Sequence, residues 1–121
     1  MLSGCATAII TPMAKNGDID EEGLRELVRF QEENGIRMIV PCGSTGESAT
    51  LNHEEHLRVI AIVRDESKRS KVIAGTGSNA TSEAIHLSKC AKDIGADASL
   101  SVSPYYNRPT QAGIIKHFEA I

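Results

Sequence analysis

The residues best equipped for chemistry are consecutive. Gly43, Ser44, Thr45, Gly46 and Glu47 follow directly on the apolar run Ile36 to Cys42 and come just before a stretch with helical periodicity. A strand ending in Gly-Ser-Thr-Gly sets two hydroxyls and a row of backbone N–H groups at one mouth of a sheet. Glycines let the backbone approach an anion closely, and the following helix is expected to add its positive N-terminal end. A carboxylate or a phosphate would be held at such a place. The same five residues also read as a strand-to-helix turn in which Ser or Thr serves as an N-cap. Adjacent hydroxyls there can pass protons as well as bind.

The elements that would position this segment repeat one pattern four times. Each repeat is a short β-rich apolar run, a polar Gly/Ser/Thr/Asn/Pro segment and an amphipathic helix. The runs are Ala6 to Ile10, Met38 to Val40, Val72 to Ala74 and Ala98 to Val102. The first is followed by Thr11-Pro12 and a turn at Lys15 to Asp18, and its helix is predicted over Glu21 to Asn34, with Leu24, Leu27, Val28 and Gln31 on one face. Asn34-Gly35 is a C-terminal stop. Asn52 is the expected cap of the second helix, whose inward stripe is His56, Leu57, Ile60, Ala61 and Val63. Thr81 is expected to cap the third, with Ala84, Ile85, Leu87, Ser88 and Ala91 facing inward and Gly95 ending it. A fourth helix begins near Thr110 or Gln111. Strand, loop and helix recurring every ~30 residues describe βα units and a parallel α/β sheet. Right-handed crossovers then gather the strand-end loops on one face. A doubly wound sheet and a (β/α)8 TIM barrel both fit, but polar loops after every strand favour the barrel. Eight units take about 250 residues, so this chain covers the first four. Residues 1–121 are accordingly expected to be the N-terminal half of one barrel domain.

Composition narrows the function classes. The chain has 121 residues, 40% hydrophobic and 3% aromatic without Trp, so its core must rest on Ile, Val, Leu and Ala. A net charge of −3 argues against nucleic acid or an anionic membrane as a partner. Arg64 to Lys71 and the pair Lys89/Lys92 read as solvated helix faces. Three cysteines, Cys5, Cys42 and Cys90, show no metal-ligand spacing and no disulfide framework. Reduced thiols, and hence a cytoplasmic protein without a secretory signal, are the expectation. Cys42 reads as a small buried side chain and not a nucleophile, and His86 and His117 as surface or packing residues.

Three segments in order carry a family resemblance: Gly43 to Leu51, Ala74 to Thr81, and Ser103-Pro104-Tyr105-Tyr106-Asn107-Arg108-Pro109. Together they resemble dihydrodipicolinate synthase, of the N-acetylneuraminate lyase group of Schiff-base-forming barrels. The resemblance runs from Ala6 to the last residue. It implies a lyase that condenses pyruvate with aspartate semialdehyde in lysine biosynthesis, without cofactor or metal, as a homo-oligomer built from tight dimers. Carried over by position, Thr45 and the Gly43–Gly46 backbone would bind the pyruvate carboxylate. Ser44 and Tyr106 would be hydroxyls of a proton relay, Tyr106 reaching into the neighbouring subunit. Ser48, Ala49, His53, His56, Asn79, Glu83 and Tyr105 coincide with positions that bind lysine in the inhibited members. Ser44 is a departure, since the synthases usually carry Thr there and the sialic-acid lyases carry Ser. A sugar-acid aldolase is therefore the competing enzyme reading. Arg108, held extended before Pro109, would contact substrate or form a salt bridge across a dimer interface.

The resemblance also implies a lysine whose amine attacks the ketone of pyruvate. Such a lysine must be desolvated and project from a strand into the barrel. Lys15 lies in a turn, Lys68, Lys89, Lys92 and Lys116 on helices, and Lys71 at the far end of the third strand. None meets the requirement. The resemblance implies that the Schiff-base lysine, a further relay tyrosine and a carboxylate-binding arginine lie in the second half of the barrel, beyond Ile121, and the isolated chain is expected to be inactive. A non-catalytic half-barrel that binds lysine or assembles with a partner is the alternative outside enzymes. Half a barrel would leave strand edges unpaired, so self-association, element swapping or a longer parent chain is expected.

Overall fold

The computed structural model describes residues 2–121. In chain order the elements are β1 (Ala6–Ala8), α1 (Glu21–Glu33), β2 (Met38–Val40), α2 (His53–Glu66), β3 (Lys71–Gly75), α3 (Thr81–Ile94), β4 (Ala98–Leu100) and α4 (Gln111–Ala120). The four strands form one sheet in the order β1-β2-β3-β4. Every pairing is parallel, with Thr7 opposite Ile39, Ile39 opposite Val72 and Ala74 opposite Ser99. Each helix packs against the next, α1 on α2, α2 on α3 and α3 on α4. Strand order and helix order thus advance together with no reversal. That is the winding of a barrel wall, because a doubly wound sheet would place successive helices on opposite faces at a switch point.

The core lies between the sheet and this helical layer. Ile39 and Val72 from the strands, Leu24 and Val28 from α1, and Val59, Ile60 and Val63 from α2 are fully buried or nearly so. Leu24 and Val28 are the face foreseen for α1. On α2 the buried set is His56, Val59, Ile60, Ile62 and Val63, while Leu57 and Ala61 are only half-buried. The expected single stripe fails because α2 sits between α1 and α3 and is covered on both flanks as well as beneath.

Most helix ends follow their cap chemistry. Asp20 accepts from Gly23 N, and Asn52 and Glu55 form a reciprocal capping box. Thr110 caps α4, and Gly95, at φ 97°, ends α3. Thr81 does not cap α3. The cap position is Ala80, which makes no side-chain bond, and the Thr81 hydroxyl instead meets His117 Nδ1 on α4 at 2.9 Å. The competition is tertiary: α4 offers the hydroxyl a buried ring nitrogen.

Two polar side chains tie the layers together at opposite ends of the strands. At the end where the strands start, Glu32 Oε1 accepts three successive backbone amides, from Lys68 at 3.0 Å, Arg69 at 2.9 Å and Ser70 at 2.8 Å. Its side chain is 7% exposed. Burial opposes its ionised form, but those amides outweigh burial and hold its pKa below the ordinary value. At the other end, the buried His56 ring donates from Nε2 to Gly75 O at 2.7 Å, joining α2 to the end of β3. Desolvation keeps this imidazole neutral by pushing its pKa below the ordinary 6.5, against the opposing pull of the carbonyl.

Both ties give measurable expectations. Glu32→Ala leaves three amides without their acceptor and should lower the unfolding free energy by about 2 kcal/mol in urea titrations. For His56 the unfolded chain binds the proton more readily than the folded one. Stability is then complete above the unfolded pKa of 6.5 and declines as pH falls below it. Urea midpoints at pH 7.5 and 5.5 should show this decline, and His56→Gln should reduce it.

Candidate active site

Parallel strands joined by same-hand crossovers place every strand C-terminus at one mouth, and the chemistry-bearing segments meet there. Residues 41–50 form successive turns between β2 and α2. Cys42 and Glu47 take the left-handed backbone, at φ 55° and 58°, so the chain folds back across the sheet. Glu47 N donates to Ser44 O at 3.2 Å and Ser48 N to Gly43 O at 3.3 Å, fixing the loop's shape. Thr11, buried just after β1, donates its hydroxyl to Gly46 O at 2.7 Å. Thr11 was not singled out from the sequence as a site residue. Its place in a polar pair directly after an apolar run was the only local signal.

A cavity of about 260 Å³ opens beside this loop, lined by Gly43, Ser44 and Ser48 together with Gly75, Gly77, Ser101 and Val102. Among the described residues, the amides of Gly43, Ser44, Thr45 and Gly46 and the hydroxyls of Ser44 and Thr45 have no acceptor or donor within the chain. The loop therefore offers unspent donors beside a small cavity. Thr45 is exposed at the loop's outer side and does not line the cavity. The α2 N-terminus does not contribute as expected. It starts at His53, beyond the loop, where Asn52 Oδ1 takes Glu55 N and Asn52 O takes His56 N, and none of its residues lines the first cavity. Anion capture here rests on the turn's own amides and hydroxyls. Cys42, 2% exposed, has its thiol pushed up to about 12 by burial, so it is no nucleophile.

Tyr106 is 98% exposed and sits at φ 67°. It lines neither the cavity nor any contact with Ser44 in this chain. Arg108 corrects another expectation: at φ 49° it is left-handed, not extended, because the tightly turned Tyr105–Pro109 loop takes positive φ at both Tyr106 and Arg108.

A second cavity of about 190 Å³ lies between the starts of α2 and α3. Ser48, Ala49, His53, His56, Glu83 and Tyr105 line it, six of the residues grouped from the sequence. Asn79, the seventh, does not; it is bonded to the backbone of Tyr105. Glu83 is held by the Ser78 hydroxyl and by His53, and those bonds, Ser78 first, keep its carboxyl below the ordinary carboxylate range. Leu51, Gly77, Ser78 and Leu87 complete the lining and were not foreseen as part of it. Ser48 and Gly77 belong to both cavities, so one thin wall separates them.

Among the described residues no lysine lines the first cavity. All six lysines are exposed. Lys68 donates to Asp65 O, and Lys71, the first residue of β3, pairs with Asp97 at 2.8 Å.

The architecture and these loops have close counterparts. The chain is 59% identical over 122 residues to the 4-hydroxy-tetrahydrodipicolinate synthase of Geotalea uraniireducens, covering 100% of this chain and 42% of that protein. The structure superposes with a TM-score of 0.96, at 50% identity, on a chloride-inhibited dihydrodipicolinate synthase from Acinetobacter baumannii complexed with pyruvate, covering 99% of this chain and 42% of the other. A lysine-bound enzyme from Cyanidioschyzon merolae matches with TM-score 0.93 and 41% identity, over 96% of this chain and 40% of its own. The chain thus spans about two fifths of the length of these relatives, which fits the first four units of their TIM barrels. A profile of the Dihydrodipicolinate synthetase family matches residues 1–121 throughout, and with the singly wound parallel sheet and its mouth of hydroxyls and free amides, the chain belongs to that family.

Proposed function

We propose that this chain supplies the pyruvate-gripping part of a Schiff-base synthase that condenses pyruvate with aspartate semialdehyde. One observation carries this: the run of unspent amides from Gly43 to Gly46, with the Ser44 hydroxyl facing the adjoining cavity. A carboxylate is planar and small and needs two or three donors, which such a turn provides without a nearby cation. Thr45, on the loop's outer side, is assigned to the same carboxylate once the cavity is closed by further chain. The pyruvate-complexed relative supports the assignment of ligand.

In this reading Ser44 shuttles a proton to and from the carbon and oxygen atoms that react, because its oxygen can donate and accept at once. Tyr106, fully exposed, serves the site of a second copy of the protein, which makes a homodimer the working unit. The attacking amine belongs to a lysine outside these residues. All six lysines here are exposed and none lines the first cavity, so none stands where it could attack a ketone held there. The exposed apolar side chains of Ile10, Leu100 and Val102, at 56%, 51% and 43%, are the surface that the remainder of a barrel would cover.

The second cavity is assigned to free lysine as a regulator. Glu83, kept ionised, faces the ammonium, and the hydroxyl of Ser48 is available to the carboxylate, while His53 holds Glu83 in place. The lysine-bound relative supports this assignment. The wall shared by Ser48 and Gly77 gives such a ligand a short mechanical route to the first cavity.

The reading is tested on the complete protein that carries this chain. Borohydride reduction with pyruvate should leave a covalent adduct on a lysine outside residues 2–121. An adduct on Lys15, Lys68, Lys71, Lys89, Lys92 or Lys116 would contradict it. Ser44→Ala should lower kcat for the condensation by ~10²-fold or more, whereas Ser44→Thr should stay within about threefold. Cleavage of N-acetylneuraminate in place of the condensation would favour the aldolase reading suggested by Ser44. Glu83→Gln should weaken inhibition by lysine at least ~10-fold while leaving kcat without lysine unchanged, since the lost ion pair faces only the second cavity.

A further inference from the structure

Asn79 lies between β3 and α3, and Tyr105 lies between β4 and α4. The side chain of the first grips the backbone of the second twice. Tyr105 N donates to Asn79 Oδ1 at 2.7 Å, and Asn79 Nδ2 donates to Tyr105 O at 2.9 Å. A carboxamide that satisfies both backbone groups of one residue does the work of a neighbouring strand. It does so past the point where the β3–β4 ladder ends, at Gly75 and Leu100.

The grip falls on the residue just before a strained one. The same Tyr105 carbonyl accepts from Asn107 N at 2.8 Å, closing a three-residue turn around Tyr106. With φ at 67°, that turn has the rare hand of the γ-turn, which L-residues avoid. Such a conformation persists only where the surroundings over-determine it. The Tyr106 side chain cannot supply the restraint, because it is 98% exposed. Asn79 supplies it from the adjacent loop.

We infer that Asn79 is a positioning residue: its two-point grip on Tyr105 aims the Tyr106 hydroxyl out of the chain in the one direction its turn allows. The inference rests on the relay role proposed above for Tyr106. It is distinct from the lysine-binding role expected for Asn79 from the sequence and does not displace it, since each bond to Tyr105 uses only one N–H of Nδ2 and one lone pair of Oδ1.

The test uses the complete protein and two readouts. In Asn79→Ala, amide hydrogen exchange across residues 104–108 should quicken at least ~10-fold, with the rest of the chain unchanged. The kcat for condensation should drop ~10-fold or more while the KM for pyruvate stays within about twofold, the pattern of a misplaced proton donor and not of lost binding. Asn79→Asp keeps the acceptor for Tyr105 N but loses the donor to Tyr105 O, and should fall between the two. Unchanged exchange, or faster exchange with unchanged kcat, would overturn the positioning role alone. An unsubstituted protein unable to condense pyruvate with aspartate semialdehyde would instead overturn the relay reading, and this role with it.

Discussion

At the mouth of the sheet the strand-end loops pass so close together that two positions have no room for a β-carbon and a third would hold one only if its neighbours gave way slightly. A Cβ on Gly75 would overlap the carbonyl of Cys42, and one on Gly77 would overlap the backbone nitrogen of Val102. A Cβ on Gly46 would sit 3.0 Å from both Cys42 N and Ile9 O, tighter than nearly all real contacts. These three glycines join the ends of all four strands into one surface: Gly46 binds the β2 loop to the end of β1, Gly75 binds β3 to the β2 loop, and Gly77 binds β3 to the end of β4. Without that close passage the 43–46 loop could not lie across the strands, and the cavity beside it would have no floor.

The two ends of the sheet are built on different principles. Where the strands begin, carboxylates are locked into backbone amides. Glu32 holds the α2–β3 connection, and Asp97 accepts Val72 N at 2.9 Å while pairing with Lys71. Where the strands end, the backbone itself is strained. All the non-glycine residues of positive φ among the described residues, Cys42, Glu47, Tyr106 and Arg108, lie in loops at that mouth. Strain of this kind persists only against a rigid surround. The tight ends of the barrel wall supply one, and the loops with free amides and hydroxyls lie at that end.

The two cavities at the mouth are neighbours through Ser48 and Gly77. Gly77 cannot yield without pushing on Val102, a lining residue of the first cavity. Any ligand that shifts the wall of the second cavity therefore acts on a surface already at van der Waals contact, where small displacements are transmitted and not absorbed.

Much of this was legible in the residues alone. The four βα repeats, Asn52 as a cap, Gly95 as a stop and the convergence of three polar loops follow from period, cap chemistry and the handedness of crossovers, all of which act over a few residues or through one general rule. Six of the residues lining the second cavity could be grouped before any cavity was seen, because the resemblance carried their positions. Other features depended on neighbours distant in the chain. Val59 and Ile62 became core because α2 is flanked on both sides. Thr81 gave up its cap for His117, Thr11 became the support of Gly46, and Asn79 found its partner in the backbone of Tyr105. The sequence by itself determined which elements form and which end of the sheet carries the chemistry, since these are set by local propensity and chirality. Only the tertiary structure decided which polar atoms are already spent and which remain free, because a hydrogen bond between residues 26 or 36 positions apart exists only once folding brings them within 3 Å.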